Sequence, residues 1–280
     1  MTQVDRADCA LSTLGLRRQG VVRALEMMRL RLADQMSLEY LAKTAAMSRF
    51  HFERVFHQIT GLPPFVFLSA MRLVRARELV LSTDESITAI CFNVGYNSVG
   101  TFTRRFTASV GISPRRLRSL TRNREAPTLD GPVAASFQHL GCGSDIVVHC
   151  NGVEDDTPIF IGVFPSPVPM GRPKSCAALA GTGAVVLHDV PPGKHYVLAA
   201  ARPAGAVGDW YRGVENIVGI ADATPIEIAN GSRQEVTMQL RPVEVTDPPI
   251  VSFLPLLLHE SCARSLLDAA GPRTPTRVPY

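Results

Sequence analysis

A fourteen-residue segment that occurs twice constrains the fold of this sequence more than any other feature. Residues 48–61 read SRFHFERVFHQITG and residues 98–111 read SVGTFTRRFTASVG. At a spacing of 50 residues, five positions within the segments and one just beyond them are identical: Ser48/Ser98, Phe52/Phe102, Arg54/Arg104, Phe56/Phe106, Gly61/Gly111 and Pro64/Pro114. Ser is favoured at a helix N-cap and Gly where a helix ends. The repeat therefore predicts two helices of the same construction, each with a Phe pair on one face and an Arg on another.

A shorter apolar segment precedes each copy of the repeat. Three of its positions correspond at a spacing of 49: Leu38/Ile87, Leu41/Ile90 and Ala42/Cys91. A short helix, a tight turn and a longer helix form a helix-turn-helix unit. The sequence thus predicts two such units, the second with a turn one residue longer than the first.

The predicted units lie within an almost continuously helical stretch, residues 17–121. Val21–Leu32 has a 3.6-residue apolar period, and a longer helix is predicted over residues 65–81 between the two units. On that helix we expect Arg72, Arg75 and Arg77 to face outward. A final basic helix is predicted after Ser113 and Pro114.

Beyond about residue 124 the sequence changes to short β-type segments between Gly and Pro turns. Residues 125–132 are predicted to be a linker, residues 133–245 an antiparallel β-sandwich-like domain, and residues 246–280 a C-terminal extension. Seven strands are expected: 145–150, 159–164, 184–189, 195–201, 217–220, 226–229 and 234–240. The predicted fold class is multidomain, with an all-α double helix-turn-helix domain over residues 1–124 followed by an all-β domain.

Charge divides the chain in the same place. Residues 1–124 carry 19 Lys and Arg against 9 Asp and Glu, whereas residues 125–280 carry 10 against 16. A basic domain joined to an acidic one favours nucleic-acid binding by the first. The six cysteines lack a framework spacing, and no secretion signal or membrane-length apolar segment is evident. These features favour a cytoplasmic protein that does not enter a membrane.

The predicted longer helices carry side chains suited to reading DNA. The second helix of a helix-turn-helix unit enters the major groove, where Arg can bind guanine, Glu can accept from cytosine, and apolar groups can contact thymine methyls. The residues predicted to face the groove are Arg49, Phe50, Glu53, Arg54 and His57 in the first helix, and Val99, Gly100, Thr103 and Arg104 in the second. We expect the helix starts at Ser48 and Ser98 to face phosphates, and Arg115 to contact the DNA backbone.

Residues 37–118 resemble the DNA-binding domain of the AraC/XylS transcription regulators. The motifs that carry the resemblance are SLEYLA, SRFHFERVF, the Gly61–Pro64 segment, MRLVRARELVLST, SITAI, VGYNS, FTRRF and GISPRRLR. The family implies two helix-turn-helix units that insert into successive major-groove segments on one face of the DNA. It implies base contacts at Phe50, Glu53 and Arg54 in the first helix, and at Val99, Gly100, Thr103 and Arg104 in the second.

The chain also departs from the family pattern. Val99 and Gly100 stand where polar side chains are common, so we expect the second helix to choose bases more weakly than the first. The DNA-binding part precedes the other domain, whereas the family more often has the reverse order. The expected partner is double-stranded operator or promoter DNA. RNA polymerase, a small-molecule effector and a second copy of the chain are further candidate partners.

The acidic half shows no catalytic arrangement of residues, and we expect neither a catalytic site nor a cofactor or metal. The segment GAVVLHDVPPGKHYVLAA, residues 183–200, is similar to one hairpin of the transthyretin-like or carboxypeptidase-regulatory-like sandwich. This resemblance implies a domain that senses a ligand or mediates contacts with a partner. Two alternatives remain open: an enzyme or metal-binding domain, centred on His139, Cys142 and Cys150, fused to the regulator, and an architectural DNA binder without sequence choice.

Overall fold

The computed structural model describes residues 3–122, 133–136, 143–154, 157–202 and 219–252. The first of these ranges is helical. Its elements are α1 (Gln3–Leu30), α2 (Leu38–Thr44), α3 (Arg49–Thr60), α4 (Pro64–Ser82), α5 (Ile87–Asn93), α6 (Val99–Val110) and α7 (Pro114–Arg122). The predicted longer helices of the repeat are α3 and α6, so the repeat correctly located both.

Two apolar cores flank α4, one around each helix of the repeat. The first core joins α1, α2 and α3, where the Phe52 and Phe56 rings lie 5.4 Å apart. The second joins α4, α5, α6 and α7, where the Phe102 and Phe106 rings lie 5.6 Å apart. All four rings are fully buried. The repeated Phe pair therefore anchors each helix and leaves its opposite face outward.

The ends of the repeated helices follow local backbone chemistry. Gly61 and Gly111 end α3 and α6 with φ values of 73° and 95°, in the left-handed region that glycine adopts without a Cβ clash. The Ser98 hydroxyl accepts a hydrogen bond from the Thr101 amide at the start of α6. Ser48 occupies the same position before α3, but its side chain makes no capping hydrogen bond.

Two predictions about the helical part are wrong. The helical stretch predicted to start at residue 17 starts at Gln3 instead. Of the three arginines expected to face outward from α4, only Arg75 is exposed. Arg72 donates to the carbonyls of residues 32, 34 and 95, and Arg77 is buried. Carbonyl acceptors distant in sequence hold both side chains inward.

The remaining ranges contain the strands. They are β1 (Val133–Ser136), β2 (Ser144–Asn151), β3 (Pro158–Phe164), β4 (Ser175–Ala180), β5 (Gly183–Val190), β6 (Gly193–Ala201), β7 (Gly219–Ala221), β8 (Thr224–Ile228) and β9 (Arg233–Arg241). They form one hydrogen-bonded sheet in the order β1-β4-β3-β6-β7-β9-β2-β5, and β8 pairs with β6 outside this path. Because β5 also lies against β4 and β1, the sheet is nearly closed around one apolar core.

The prediction of a β-rich part after the helical one is confirmed, but its antiparallel description is wrong at one place. β2 and β9 pair in parallel, from Asp145 opposite Arg233 to Asn151 opposite Gln239. The two strands come from opposite ends of the β part, so the intervening chain is long enough to return in the same direction. The sequence also missed β1 and β4. β4 reads SCAALA and lacks the β-branched and aromatic residues that mark strands.

The β part packs against both helical cores through two irregular segments, residues 166–172 and 244–252. Val168 is buried in the first core and Val251 in the second. The Gly171 amide donates to the Ser109 carbonyl, and Arg172 donates through Nε to the Gly111 carbonyl at 2.9 Å. We call these two segments the wedge, because they pack against the cores of both helix pairs, α2–α3 and α5–α6.

Three further predictions fall outside the described residues: the linker at 125–132, the part of the C-terminal extension beyond residue 252, and the side chains of His139 and Cys142. Within the described ranges, no helix has the length and apolar character needed to span a bilayer.

Candidate nucleic-acid interface

The outward face of α3 carries all five side chains that the sequence predicted for it: Arg49, Phe50, Glu53, Arg54 and His57 are exposed. The Phe50 side chain is 75% exposed although it is large and apolar. The opposite face is buried through Phe52, Val55 and Phe56. A helix so divided is fixed by its apolar face and can present its polar face to a second molecule.

The arginines of this face have only weak intramolecular partners. Arg49 pairs with Glu39 at 3.2 Å and lies over the Phe50 ring, 4.9 Å from its centre. Arg54 lies 3.3 Å from the His51 Nδ1 atom. Exposed ion pairs are worth about 0–1 kcal/mol, so Arg49 can exchange Glu39 for a phosphate or a base at little cost.

The outward face of α6 is less polar. Ser98, Gly100 and Arg104 are exposed, whereas Val99 and Thr103 are half-buried. Val99 and Thr103 line a hollow of about 250 Å³ together with Pro114 and Arg115 from the start of α7. The structure therefore brings Val99, Thr103 and Arg115 together at one surface.

Four residues that line this hollow are absent from the predicted contacts: Ile87, Thr88, Ser113 and Pro114. Thr88 lies in the first turn of α5. Thr88 follows Glu39 at the spacing of 49 residues that relates the short helices, and Glu39 contacts Arg49 beside α3. The repeat itself therefore contained the signal that would have identified Thr88.

The outward faces of α3 and α6 are not covered by the described residues of the β part. Arg54 and Arg104 both remain exposed, although the wedge makes a hydrogen bond with Ser109 near the C-terminal end of α6. Further exposed cations lie on the helical part at Lys43, Arg105 and Arg116. Arg54, Arg104 and these cations are accessible while the β part is docked.

The described residues of the β part contain no group of three or more His, Cys, Asp or Glu able to hold a metal ion. His149 and Cys150 are neighbours on β2 and point to opposite faces, with His149 half-exposed and Cys150 fully buried. Burial raises the pKa of the Cys150 thiol to about 11, which keeps it protonated at neutral pH.

Comparison with known proteins agrees with the geometry of the helical part. Residues 41–119 match the family described as "Helix-turn-helix domain". The transcriptional activator RhaS of Escherichia fergusonii is 37% identical over 86 residues, which are 31% of this chain and 31% of that protein. The transcriptional activator AarP of Providencia stuartii is 29% identical over 87 residues, 31% of this chain and 64% of that protein.

The helical part also matches a solved structure of the DNA-binding domain of AdpA, the global transcriptional factor, in complex with a target DNA. The match covers 38% of this chain and 95% of the AdpA chain. Its sequence identity to this chain is 28% and its TM-score is 0.36. The match to RhaS spans about a third of that relative's length.

The AraC/XylS resemblance is confirmed for the helical part, since residues 41–119 match a helix-turn-helix family and the relatives named above are helix-turn-helix transcriptional activators. The similarity of residues 183–200 to a transthyretin-like hairpin stays a prediction.

Proposed function

We propose that this protein is a sequence-specific DNA-binding transcription regulator, in which α2–α3 and α5–α6 act as two helix-turn-helix units. The observation that carries the proposal is the equivalence of α3 and α6. Each is anchored by a buried Phe pair, and each presents an exposed Arg at the same position, Arg54 or Arg104. In this proposal the two helices enter successive major-groove segments on one face of the duplex, about one helical turn apart.

The first unit carries more of the sequence choice. Arg54 and Arg49 can each bind a guanine, and Glu53 can accept from a cytosine amino group. Phe50 offers an exposed apolar surface to a thymine methyl group. Each well-placed pairing discriminates against a wrong base by about 1–3 kcal/mol.

The second unit acts more through position than through base choice. Arg104 is its one exposed charged side chain among the predicted base contacts, and Gly100 offers only backbone at the groove. Ser98 and Arg115 are its proposed contacts to the DNA backbone, one at the start of α6 and one at the start of α7. Contacts to phosphate position a protein without carrying sequence information.

Residues 1–124 and 133–245 are proposed as the two domains, with the β domain as the regulatory part. The wedge connects it to both helix pairs, so a change in the β domain would reach both recognition helices. A small-molecule effector, a second copy of the chain and RNA polymerase are its proposed partners.

Binding-site selection from random duplexes with the full-length protein tests the proposal. We expect an enriched motif with two parts about 10 base pairs apart, and more information in one part than in the other. Retention of DNA without any enriched motif would contradict sequence-specific recognition and favour the architectural alternative.

A further inference from the structure

The sheet of the β part has an apolar second face. Side chains alternate along β3, and Ile159, Ile161 and Val163 point into the closed core. Phe160 and Phe164 point the other way and are also buried, at 5% and 0% exposure. They form a cluster with Cys176, Ala178 and Leu198 from β4 and β6. The outer face of a sheet is usually polar when it meets water, so this face is built to be covered.

The cover of this face is incomplete. A cavity of about 280 Å³ lies between the aromatic face and the helical part. Its walls include Phe160, Phe164 and Leu198 from the sheet, and Thr60 and Gly61 from the end of α3. Thr246, Asp247, Pro248 and Ile250 of the wedge line another side. The cavity is thus bounded by both parts of the chain.

At the polar end of the cavity, the charge of Arg241 is already compensated by two carboxylates. Arg241 donates to Asp222 at 2.8 Å and to Asp247 at 2.8 Å. Among the described residues that line the cavity it is the only cation, and two carboxylates share it. An anionic ligand would therefore meet net negative charge, whereas a neutral molecule could use the carboxylate oxygens or the Thr246 hydroxyl as hydrogen-bond acceptors.

The cavity touches the point where the first recognition helix ends. The buried Thr60 hydroxyl contacts the carbonyls of Phe56 at 2.9 Å and Leu62 at 3.1 Å, and the left-handed Gly61 follows. The wedge that closes the cavity also receives the Arg77 guanidinium from α4. An occupant would contact the first unit directly and the second through the wedge.

We propose that this cavity is the binding site of a small, neutral, bicyclic aromatic effector that alters DNA affinity. The cavity volume is about twice the ~150 Å³ that accommodates benzene in an apolar protein cavity, so it fits a ligand with two fused rings. Because the cavity walls are mostly aromatic and aliphatic, they favour an apolar ligand. The role of the ligand as an effector rests on the DNA-binding function proposed above. The binding of a ligand to the cavity does not depend on that function.

Indole and 2-naphthol are neutral probes of the proposed size, and 2-naphthoate is the anionic counterpart. Titration calorimetry on the full-length protein should show saturable binding of a neutral probe, and binding of 2-naphthoate at least tenfold weaker. Absence of saturable binding by both neutral probes, or tighter binding of the anion, would overturn the proposal.

Ala223 lies half-buried against the aromatic cluster and lines the cavity, so Ala223→Trp should fill it and abolish probe binding. Ala229 is exposed and does not line the cavity, which makes Ala229→Trp the matched control. Binding to wild-type protein can also be located directly from isoleucine methyl resonances. We expect shifts at Ile59, Ile220 and Ile250, but not at Ile161 in the closed core. Shifts only at core residues would place the probe elsewhere and refute the site.

The effector role has its own measurement. A probe that binds and acts as proposed should change the affinity for the selected DNA site by about fivefold or more, and DNA should change probe affinity by the same factor. Equal DNA affinity with and without saturating probe would refute the effector role. Intact DNA selectivity without probe binding would refute the cavity site alone, and probe binding without DNA selectivity would refute the DNA-binding proposal alone.

Discussion

Arg77→Met is expected to weaken the attachment of the β part to the helical part. Arg77 leaves α4 and is 2% exposed, and its Nη1 donates to the carbonyls of Val251 at 2.6 Å and Ser252 at 3.1 Å. Methionine retains much of the apolar stem and removes the guanidinium. The substitution therefore tests the hydrogen bonds more than the packing.

The expected loss follows from three contributions. A hydrogen bond from a charged donor contributes about 1.5–3 kcal/mol, so two such bonds account for roughly 3–6 kcal/mol. Burial lowers the pKa of Arg77 from 12.5 to about 10, so removing the buried cation also relieves a desolvation cost that offsets part of this loss. The Val251 and Ser252 carbonyls lose their donor inside the protein, which destabilises it by about 1–3 kcal/mol more. The net expectation is a destabilisation of about 3 kcal/mol.

Urea unfolding, followed by circular dichroism, measures this loss. Arg75→Met is the control, because Arg75 lies two residues away on α4, is exposed and pairs with the mostly buried Glu78 carboxylate at 3.1 Å. An ion pair with one exposed partner contributes about 1 kcal/mol, so the control should lose clearly less stability than Arg77→Met. We also expect the Arg77 variant to unfold over a broader range or in two steps, because its two parts are less tightly coupled.

Equal midpoints and equal slopes for Arg77→Met and Arg75→Met would refute this reasoning. The wedge contact would then contribute nothing to stability, and the proposed route from the β part to the second helix pair would fail with it.

Three further predictions concern recognition, helix ends and buried thiols. Arg54→Ala should mainly reduce discrimination between the selected site and random DNA, whereas Arg115→Ala should weaken both and lower the salt slope by about 1, as fluorescence anisotropy at several salt concentrations can show. Gly61→Ala should destabilise the protein by roughly 1–2 kcal/mol, because it forces a Cβ into left-handed backbone. Gly100→Ala, in ordinary helix, should stabilise the protein by about 0.5–1 kcal/mol. Thermal melts that rank the two variants in the opposite order would contradict this. Cys150 should resist iodoacetamide at pH 8 until the protein unfolds, and rapid labelling of the native protein would contradict its burial. Because burial raises the pKa of its thiol from 9.0 to about 11, the free energy of unfolding should fall as the pH rises between those values.

The sequence predicted the helical part well because its determinants are local. Ser37, Ser86 and Ser98 each cap the helix that follows them, and Gly61 and Gly111 end α3 and α6. The exposed face of α3 follows from the helical period alone. Local chemistry and helical period are therefore sufficient to locate the side chains that α3 presents to solvent.

Features that depend on distant partners could not be predicted in this way. Arg77 resembles a surface arginine until Val251 and Ser252, about 175 positions away, supply acceptors. The parallel pairing of β2 with β9 depends on the path of the whole β part. The cavity arises where the end of α3 meets the outer face of β3, and no local pattern joins those two elements.

The central claim is that α3 and α6 read two DNA segments at a fixed separation. Its most direct test is the affinity of the full-length protein for its selected site with 5 base pairs inserted between the two halves, about half a helical turn. We predict that affinity falls to that of a duplex carrying the more informative half-site alone, because the second helix then faces the wrong side of the DNA. Unchanged affinity after the insertion would contradict simultaneous reading by the two helices.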